Sequence, residues 1–269
     1  MTAHATLPPQ QNGRILAAEL FGTAVLIIGG PGTAILAPGL GQLGVALAFG
    51  VSLAVVTYMI GHVSGAHVNP AVTLGLLIAR KVDGAHAVFA LIGQLLGGVA
   101  GAAIVYGIAT GRPEFERGQF AANLWSGPYM GLGATIVAEV VLTAVLVVVA
   151  LIGHRAGHRV PGSSGLVAGL AFALVYLVSI PVDNGGANPV RSIATAIFAD
   201  TSTGALEQLW AFVVFPLIGA VVGVIIWLVI DDSRVEDTLL TEIPGVTEVR
   251  DVLDDVADEA VDTVEDTLR

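Results

Sequence analysis

Two short polar stretches interrupt a chain that otherwise avoids polarity. Residues 64–73 read SGAHVNPAVT and residues 183–192 read DNGGANPVRS, so that Asn69-Pro70-Ala71 and Asn188-Pro189-Val190 recur 119 positions apart. Asn is a favoured helix N-cap and Pro suits the first helical position, so each pair heads a helix. A helix N-terminus carries roughly half a positive charge from its aligned peptide dipoles. Two such ends brought together oppose a cation. Each Asn side chain can cap its own helix through oxygen and keep its NH₂ group for a lumen between the two. A pair of such donors would hold a water by its oxygen with both hydrogens turned outward, so that water passes while proton hopping is opposed.

Other polar residues flank these pairs. Arg191 follows Asn188 by about one helical turn, where the first stretch has Val72. A guanidinium in a membrane segment is expensive, and the functional reading makes it a fixed donor that repels cations at the outward mouth; the structural alternative pairs it with Asp183. Glu19 and Glu139 could carry protons, but their matched positions favour accepting backbone N–H groups from two irregular loops. His62 and His67 could titrate; His67 is the better candidate for a neutral pore-lining side chain.

Such residues need an apolar scaffold, and composition supplies one. With 55% hydrophobic and 12% charged residues and a mean hydropathy of +0.83, the chain has too little polar surface for a soluble globule of 269 residues. Spans of roughly 20 residues are predicted over about residues 14–37, 42–61, 85–109, 131–152, 165–181 and 206–230. Pro31-Gly32 and Pro38-Gly39 mark a frayed helix end and a turn after the first. Only eleven residues, Asn69 to Ala79, precede Arg80-Lys81, enough for a helix of about 17 Å that cannot cross. The segment after Asn188 is similarly short.

The plan repeats. Ala18-Glu19 and Thr23-Ala24-Val25-Leu26 match Ala138-Glu139 and Thr143-Ala144-Val145-Leu146 at an offset of 120, and Gly97 with Gly101 match Gly219 with Gly223 at 122. Three spans and one half-helix per copy turn the second copy upside down, so the predicted fold is all-α: six transmembrane helices plus two re-entrant half-helices in an inverted repeat. Residues 1–13 are expected to be a disordered lead. Residues 14–231 form the channel domain (repeats 14–110 and 131–231), with a polar connector at residues 110–129. Residues 232–269 form an acidic tail, solvated or in part an amphipathic helix from Val246.

From Asp231 onward there are fourteen acidic and three basic residues, so the net charge of −11 resides in that tail. The loop arginines and lysine favour both termini on the cytoplasmic side, and no cleaved signal peptide is expected. No cysteine is present, which removes disulfide and thiol chemistry.

In these residues the chain resembles the aquaporin, or major intrinsic protein, family. The similarity spans about residues 14–231 and rests on residues 64–73, Asn188-Pro189-Val190-Arg191-Ser192 and the two Ala-Glu…Thr-Ala-Val-Leu segments. It implies a homotetramer in the bilayer of the cell (plasma or inner) membrane with one pore per subunit. It also implies a midplane constriction at Asn69, Pro70, Ala71, Asn188, Pro189 and Val190, and an outer selectivity filter at Phe49, Tyr176, Gly185 and Arg191. Tyr176 and Gly185 depart from the His and Thr usual in bacterial water channels, and Val190 departs from Ala. Ser192 and Ala196 resemble the water-selective branch.

The resulting expectation is a passive water channel with no cofactor, metal, nucleic-acid partner or enzymatic activity. A facilitator of glycerol or other small neutral solutes on the same fold is the nearest alternative. A proton-coupled secondary transporter would require Glu19 or Glu139 to be exposed at the midplane.

Overall fold

The computed structural model describes residues 9–125, 131–154, 164–231 and 238–242, and every regular element there is helical. Helix α1 (Pro9–Leu36) leads through a 3₁₀ turn to α2 (Gly41–Ser64), the short α3 (Pro70–Ile78) and α4 (Gly84–Ala109). The order then recurs: α5 (Leu132–Gly153), α6 (Ser164–Asp183), the short α7 (Pro189–Phe198), and a one-turn α8 (Ala205–Gln208) that runs into α9 (Ala211–Ile230). Among the described residues, six segments are long and apolar enough to cross a membrane.

Burial is arranged the opposite way from a soluble domain. Glu19, Gln94 and Asn188 are fully buried and Glu139 and Arg191 are 1% exposed, while Val137, Leu170 and Val229 stand 63%, 61% and 77% exposed on the outside. Water would not tolerate that apolar exterior. The chain is an all-α multi-pass membrane protein.

Close backbone approach holds the long helices together. α1 packs against α4, α5 against α9, and α2 against α6. A Cβ on Gly97 of α4 would lie 2.1 Å from the Leu20 carbonyl oxygen, and one on Gly219 of α9 would lie 2.6 Å from that of Val140. Gly50 and Gly169 meet reciprocally, each Cβ position falling within 2.6 Å of the other's carbonyl oxygen. Without apolar solvent-driven association in lipid, such small-residue contacts supply the packing.

Several boundaries differ from expectation. α1 starts at Pro9 and so takes in residues 9–13 of the expected disordered lead, because Pro at a first helical position sacrifices no needed hydrogen bond and glutamines extend a helix well. Neither Pro31 nor Pro181 ends its helix: α1 continues to Leu36 and α6 to Asp183. In a membrane the neighbouring N–H groups have no competing partner, so the helix persists around a missing bond. Of the tail, Thr238 and Leu240 are buried, Leu240 against Leu76 and Trp227 at the end of α3 and α9. The helix expected from Val246 and residues 1–8 lie outside the described residues.

Replacing Gly97 with Ala should lower stability by about 1–3 kcal/mol through overpacking. In the same helix, Gly107 has open space around its Cβ position, and Gly107→Ala should be neutral or stabilising by up to about 1 kcal/mol. Thermal unfolding of the detergent-solubilised variants measures both, and equal melting temperatures would refute the contact's importance.

Candidate functional site

The two loops before α3 and α7 share one backbone pattern. Gly65, Ala66 and Val68 have φ of 88°, 55° and 42°, and Asn184, Gly185 and Ala187, each 119 positions later, have φ of 70°, 76° and 55°. For Val68 and the two alanines this left-handed conformation is unfavourable by about 1–3 kcal/mol apiece, so surrounding structure must enforce it. Buried carboxylates supply much of that. Glu19 Oε1 accepts the Ser64 hydroxyl at 2.6 Å and the His67 N–H at 2.9 Å, and its Oε2 accepts the Val68 N–H at 2.7 Å and the Gln94 amide at 2.8 Å. Glu139 Oε2 accepts the Ala187 N–H at 2.8 Å.

That conformation aims a carbonyl from each loop at the other loop's asparagine. Asn69 Oδ1 caps α3 by accepting the Ala71 N–H at 2.9 Å, and Asn188 Oδ1 caps α7 by accepting the Val190 and Arg191 N–H groups at 3.1 and 3.3 Å. The amide groups do not point wholly into the lumen as the sequence led one to expect. Asn69 donates one hydrogen to the Ala187 carbonyl at 2.8 Å, and Asn188 donates one to the Val68 carbonyl at 2.9 Å. The second N–H of each asparagine has no acceptor among the described residues.

Val190 is fully buried, and its Cγ2 occupies the space a Cβ on Gly98 of α4 would need. The extra methyls relative to Ala are thus packed into helix α4. His67, 3% exposed, hydrogen-bonds Thr73 Oγ1 at 3.2 Å through Nδ1 and stacks on His86 with ring centres 5.1 Å apart. Its Nε2 has no partner among the described residues. A cavity of about 610 Å³ is lined by Val68, Asn69, His62, His67 and His154, with Val72, Leu146 and Phe172 among its apolar walls.

Phe49, Tyr176, Gly185 and Arg191 are brought together by the fold. Phe49 and Tyr176 stack with centres 3.7 Å apart, and the Arg191 guanidinium sits 5.8 Å from the Phe49 ring centre. The Tyr176 hydroxyl donates to the Gly186 carbonyl at 3.0 Å. A Cβ at Gly185, whose φ is 76°, would come 2.8 Å from the Tyr176 ring. The two departures from the family pattern thus compensate each other: the large ring takes the space that a side chain at 185 would fill.

Arg191 is held on two sides. Its Nη1 donates to Asn123 Oδ1 and to Thr195 Oγ1 at 3.4 Å, and its Nη2 donates to the Asn184 carbonyl at 2.8 Å. Asp183 is not among these partners. Nε finds no acceptor among the described residues. The Asn123 carbonyl also accepts the Ser192 hydroxyl at 2.8 Å, while its amide donates to the Asp183 carbonyl at 3.1 Å. Sequence reasoning treated residues 110–129 as a polar connector and missed Asn123; its signal was an amide, one of two with Gln119, in the uncharged run after Gly118. Gln94, the one amide of the otherwise apolar α4, was missed as well. No group of three or more His, Cys, Asp or Glu among the described residues is arranged to hold a metal ion.

Comparison with known proteins gives a consistent result. A family model described as Major intrinsic protein matches residues 8–227. The chain is 43% identical over 221 residues to Aquaporin Z of Brucella melitensis biotype 1, covering 79% of this chain and 95% of that one. It is 44% identical over 220 residues to Aquaporin Z of Photorhabdus laumondii subsp. laumondii, covering 78% and 94%. The X-ray structure of the aquaglyceroporin from Plasmodium falciparum superposes with a TM-score of 0.72 at 22% identity, over 84% of this chain and 99% of that one.

Glu19→Gln should weaken the first loop by at least the roughly 1.5–3 kcal/mol of one hydrogen bond to a charged group, since an amide NH₂ would face N–H donors. Lower thermal stability together with reduced osmotic permeability in reconstituted vesicles is the expected result. Wild-type values for both would remove Glu19 from the role of anchor.

Proposed function

The chain belongs to the major intrinsic protein family, whose members are membrane channels for water or small solutes rather than enzymes, and from that premise we propose that it is a passive water channel that excludes protons and ions. On this reading α3 and α7 are re-entrant half-helices of an inverted repeat, and Asn69-Pro70-Ala71 and Asn188-Pro189-Val190 form the midplane constriction. The observation that carries it is the exchange between Asn69 with the Ala187 carbonyl and Asn188 with the Val68 carbonyl. This exchange ties two positive helix ends together and leaves one N–H on each asparagine for the oxygen of a passing water. A water held there cannot accept a proton from its neighbour, and a cation meets the two dipoles unsolvated.

Phe49, Tyr176, Gly185 and Arg191 act as the outer filter. Among the described residues, Arg191 Nε–H has no acceptor beside the bonds that Nη1 and Nη2 make to Asn123, Thr195 and Asn184, and it can bind a permeating oxygen. The stacked Phe49 and Tyr176 rings narrow the opposite side. Both features favour water over glycerol, as do the names of the two Aquaporin Z relatives.

The channel domain covers residues 14–231 in two repeats, 14–110 and 131–231. Exposed apolar side chains such as Leu170 and Val229 face lipid or neighbouring subunits of a homotetramer in the cell membrane. The positive-inside pattern puts both termini, with the acidic tail 232–269, in the cytoplasm.

Stopped-flow light scattering of proteoliposomes tests the reading. Fast shrinkage in sucrose, little re-swelling in glycerol and no acidification of an internal pH dye are expected. Acidification that tracks flux would overturn the channel, and rapid re-swelling in glycerol would make it a facilitator. Arg191→Val should raise the leak of small cations roughly tenfold, corresponding to about 1.4 kcal/mol off the barrier. Unchanged selectivity would remove Arg191 from the filter.

A further inference from the structure

The two repeats anchor their loops with different donors. In the first, the Glu19 carboxylate accepts the Ser64 hydroxyl and the Gln94 amide in addition to two backbone N–H groups. At the matching offsets, 119 for the loop and 122 for the last span, Asp183 replaces Ser64 and Pro216 replaces Gln94. Both side-chain donors are absent from the second repeat. Among the described residues, Glu139 keeps only the Ala187 N–H, on Oε2.

What remains is an encounter between two acceptors. Glu139 and Asp183 are each 1% exposed. Their atoms Oε1 and Oδ2 have no donor among the described residues, while Asp183 Oδ1 accepts the Gly185 N–H at 3.2 Å and Glu139 Oε2 accepts the Ala187 N–H at 2.8 Å, which sets the two carboxyl groups side by side on one loop. Gly186 presses against the site so closely that a Cβ would fall 1.8 Å from Glu139 Oε1, which leaves no space for another side-chain donor. Two ionised carboxylates so close would repel, whereas one proton between them turns the contact into a strong hydrogen bond. Among the described residues, the charged or titratable groups facing the pair are Arg191 from α7 and Tyr176 from α6; the connector contributes the neutral Asn123.

We propose that Asp183 is a positioning residue of the outer filter, which shares one proton with Glu139 and thereby fastens the loop at residues 183–187. Each fastened carbonyl has a task. That of Asp183 accepts Asn123 Nδ2 at 3.1 Å, Asn184 accepts Arg191 Nη2 at 2.8 Å, Gly186 accepts the Tyr176 hydroxyl at 3.0 Å, and Ala187 accepts Asn69 Nδ2 at 2.8 Å. Loss of the shared proton adds a negative charge beside Arg191, draws the guanidinium away from Asn123 and the Asn184 carbonyl, and widens the filter. Solute exclusion therefore fails on the alkaline side while water flux persists. This inference rests on the channel reading above.

The test uses the full chain in proteoliposomes, as wild type, Asp183→Asn and Asp183→Ser. Asn provides a permanent donor to Glu139, and Ser restores the residue type of the first repeat, so one variant guards against misfolding of the other. Infrared spectroscopy should show the C=O stretch of a protonated buried acid in the wild type and its loss in both variants. Glycerol exclusion followed between about pH 5 and about pH 9 should be lost at the alkaline end in the wild type and be independent of pH in Asp183→Asn. A missing band in the wild type, a band that survives both substitutions, or identical pH profiles would overturn the proposal. Absence of water flux at every pH would overturn the channel reading by itself, because the infrared band still decides for or against the shared proton.

Discussion

Irregular backbone inside an apolar bundle must find all its hydrogen-bond partners within the protein, and here buried carboxylates meet much of that demand. Glu19 gathers two consecutive backbone N–H groups, a hydroxyl and an amide from three separate segments. The left-handed residues Ala66, Val68, Asn184 and Ala187 are unfavourable locally, and the helices around them tolerate no slack. Their value lies in direction. Only with these φ values do the Val68 and Ala187 carbonyls reach across to Asn188 and Asn69. The carboxylates, the strained loops and the reciprocal asparagine bonds are therefore one arrangement, and none of the three is stable without the others.

The rest of the chain makes that arrangement rigid. Glycines let α1 and α4, and α5 and α9, approach until a single methyl would strike backbone, which fixes Glu19 on α1 relative to Gln94 on α4. Small residues also absorb local departures. Gly98 makes room for Val190, and Gly185 makes room for the Tyr176 ring. Each large-for-small exchange in one element is matched by a small residue in its neighbour, so the residues around the asparagines stay close-packed.

Much of this was legible in the sequence because it depends on local rules or on repetition. Asn-Pro signals a cap wherever it occurs, eleven apolar residues cannot cross a bilayer, and matched offsets of 119, 120 and 122 tie Glu19 to Glu139 and Asn69 to Asn188 without any coordinates. Long-range partners were not legible. Asn123 lies in a connector whose path no local pattern specifies, and nothing in its neighbours announces that it will meet Arg191 nearly seventy positions later. The sharing of each asparagine amide with the opposite loop was hidden for the same reason. Compensation between Tyr176 and Gly185 required knowing that their positions touch.

The two repeats share a scaffold and differ in the side chains around their loops. Both repeats supply an Asn cap, a left-handed loop and a glutamate, but their remaining polar side chains differ. The first loop is surrounded by neutral donors and histidines and opens into a cavity of about 610 Å³. The second is surrounded by Asp183, Glu139, Tyr176 and Arg191, all buried, with two stacked aromatic rings in place of open space. A duplicated fold begins with two equal ends, and equal ends would discriminate equally. Here one loop adjoins a cavity lined by His62, His67 and apolar walls, and the other is surrounded by charge and aromatic bulk. The proposed outer filter therefore draws on both repeats, Phe49 from the first and Tyr176, Gly185 and Arg191 from the second, and within it Arg191 Nε has no acceptor among the described residues because Asn123, Asn184 and Thr195 satisfy only part of its guanidinium.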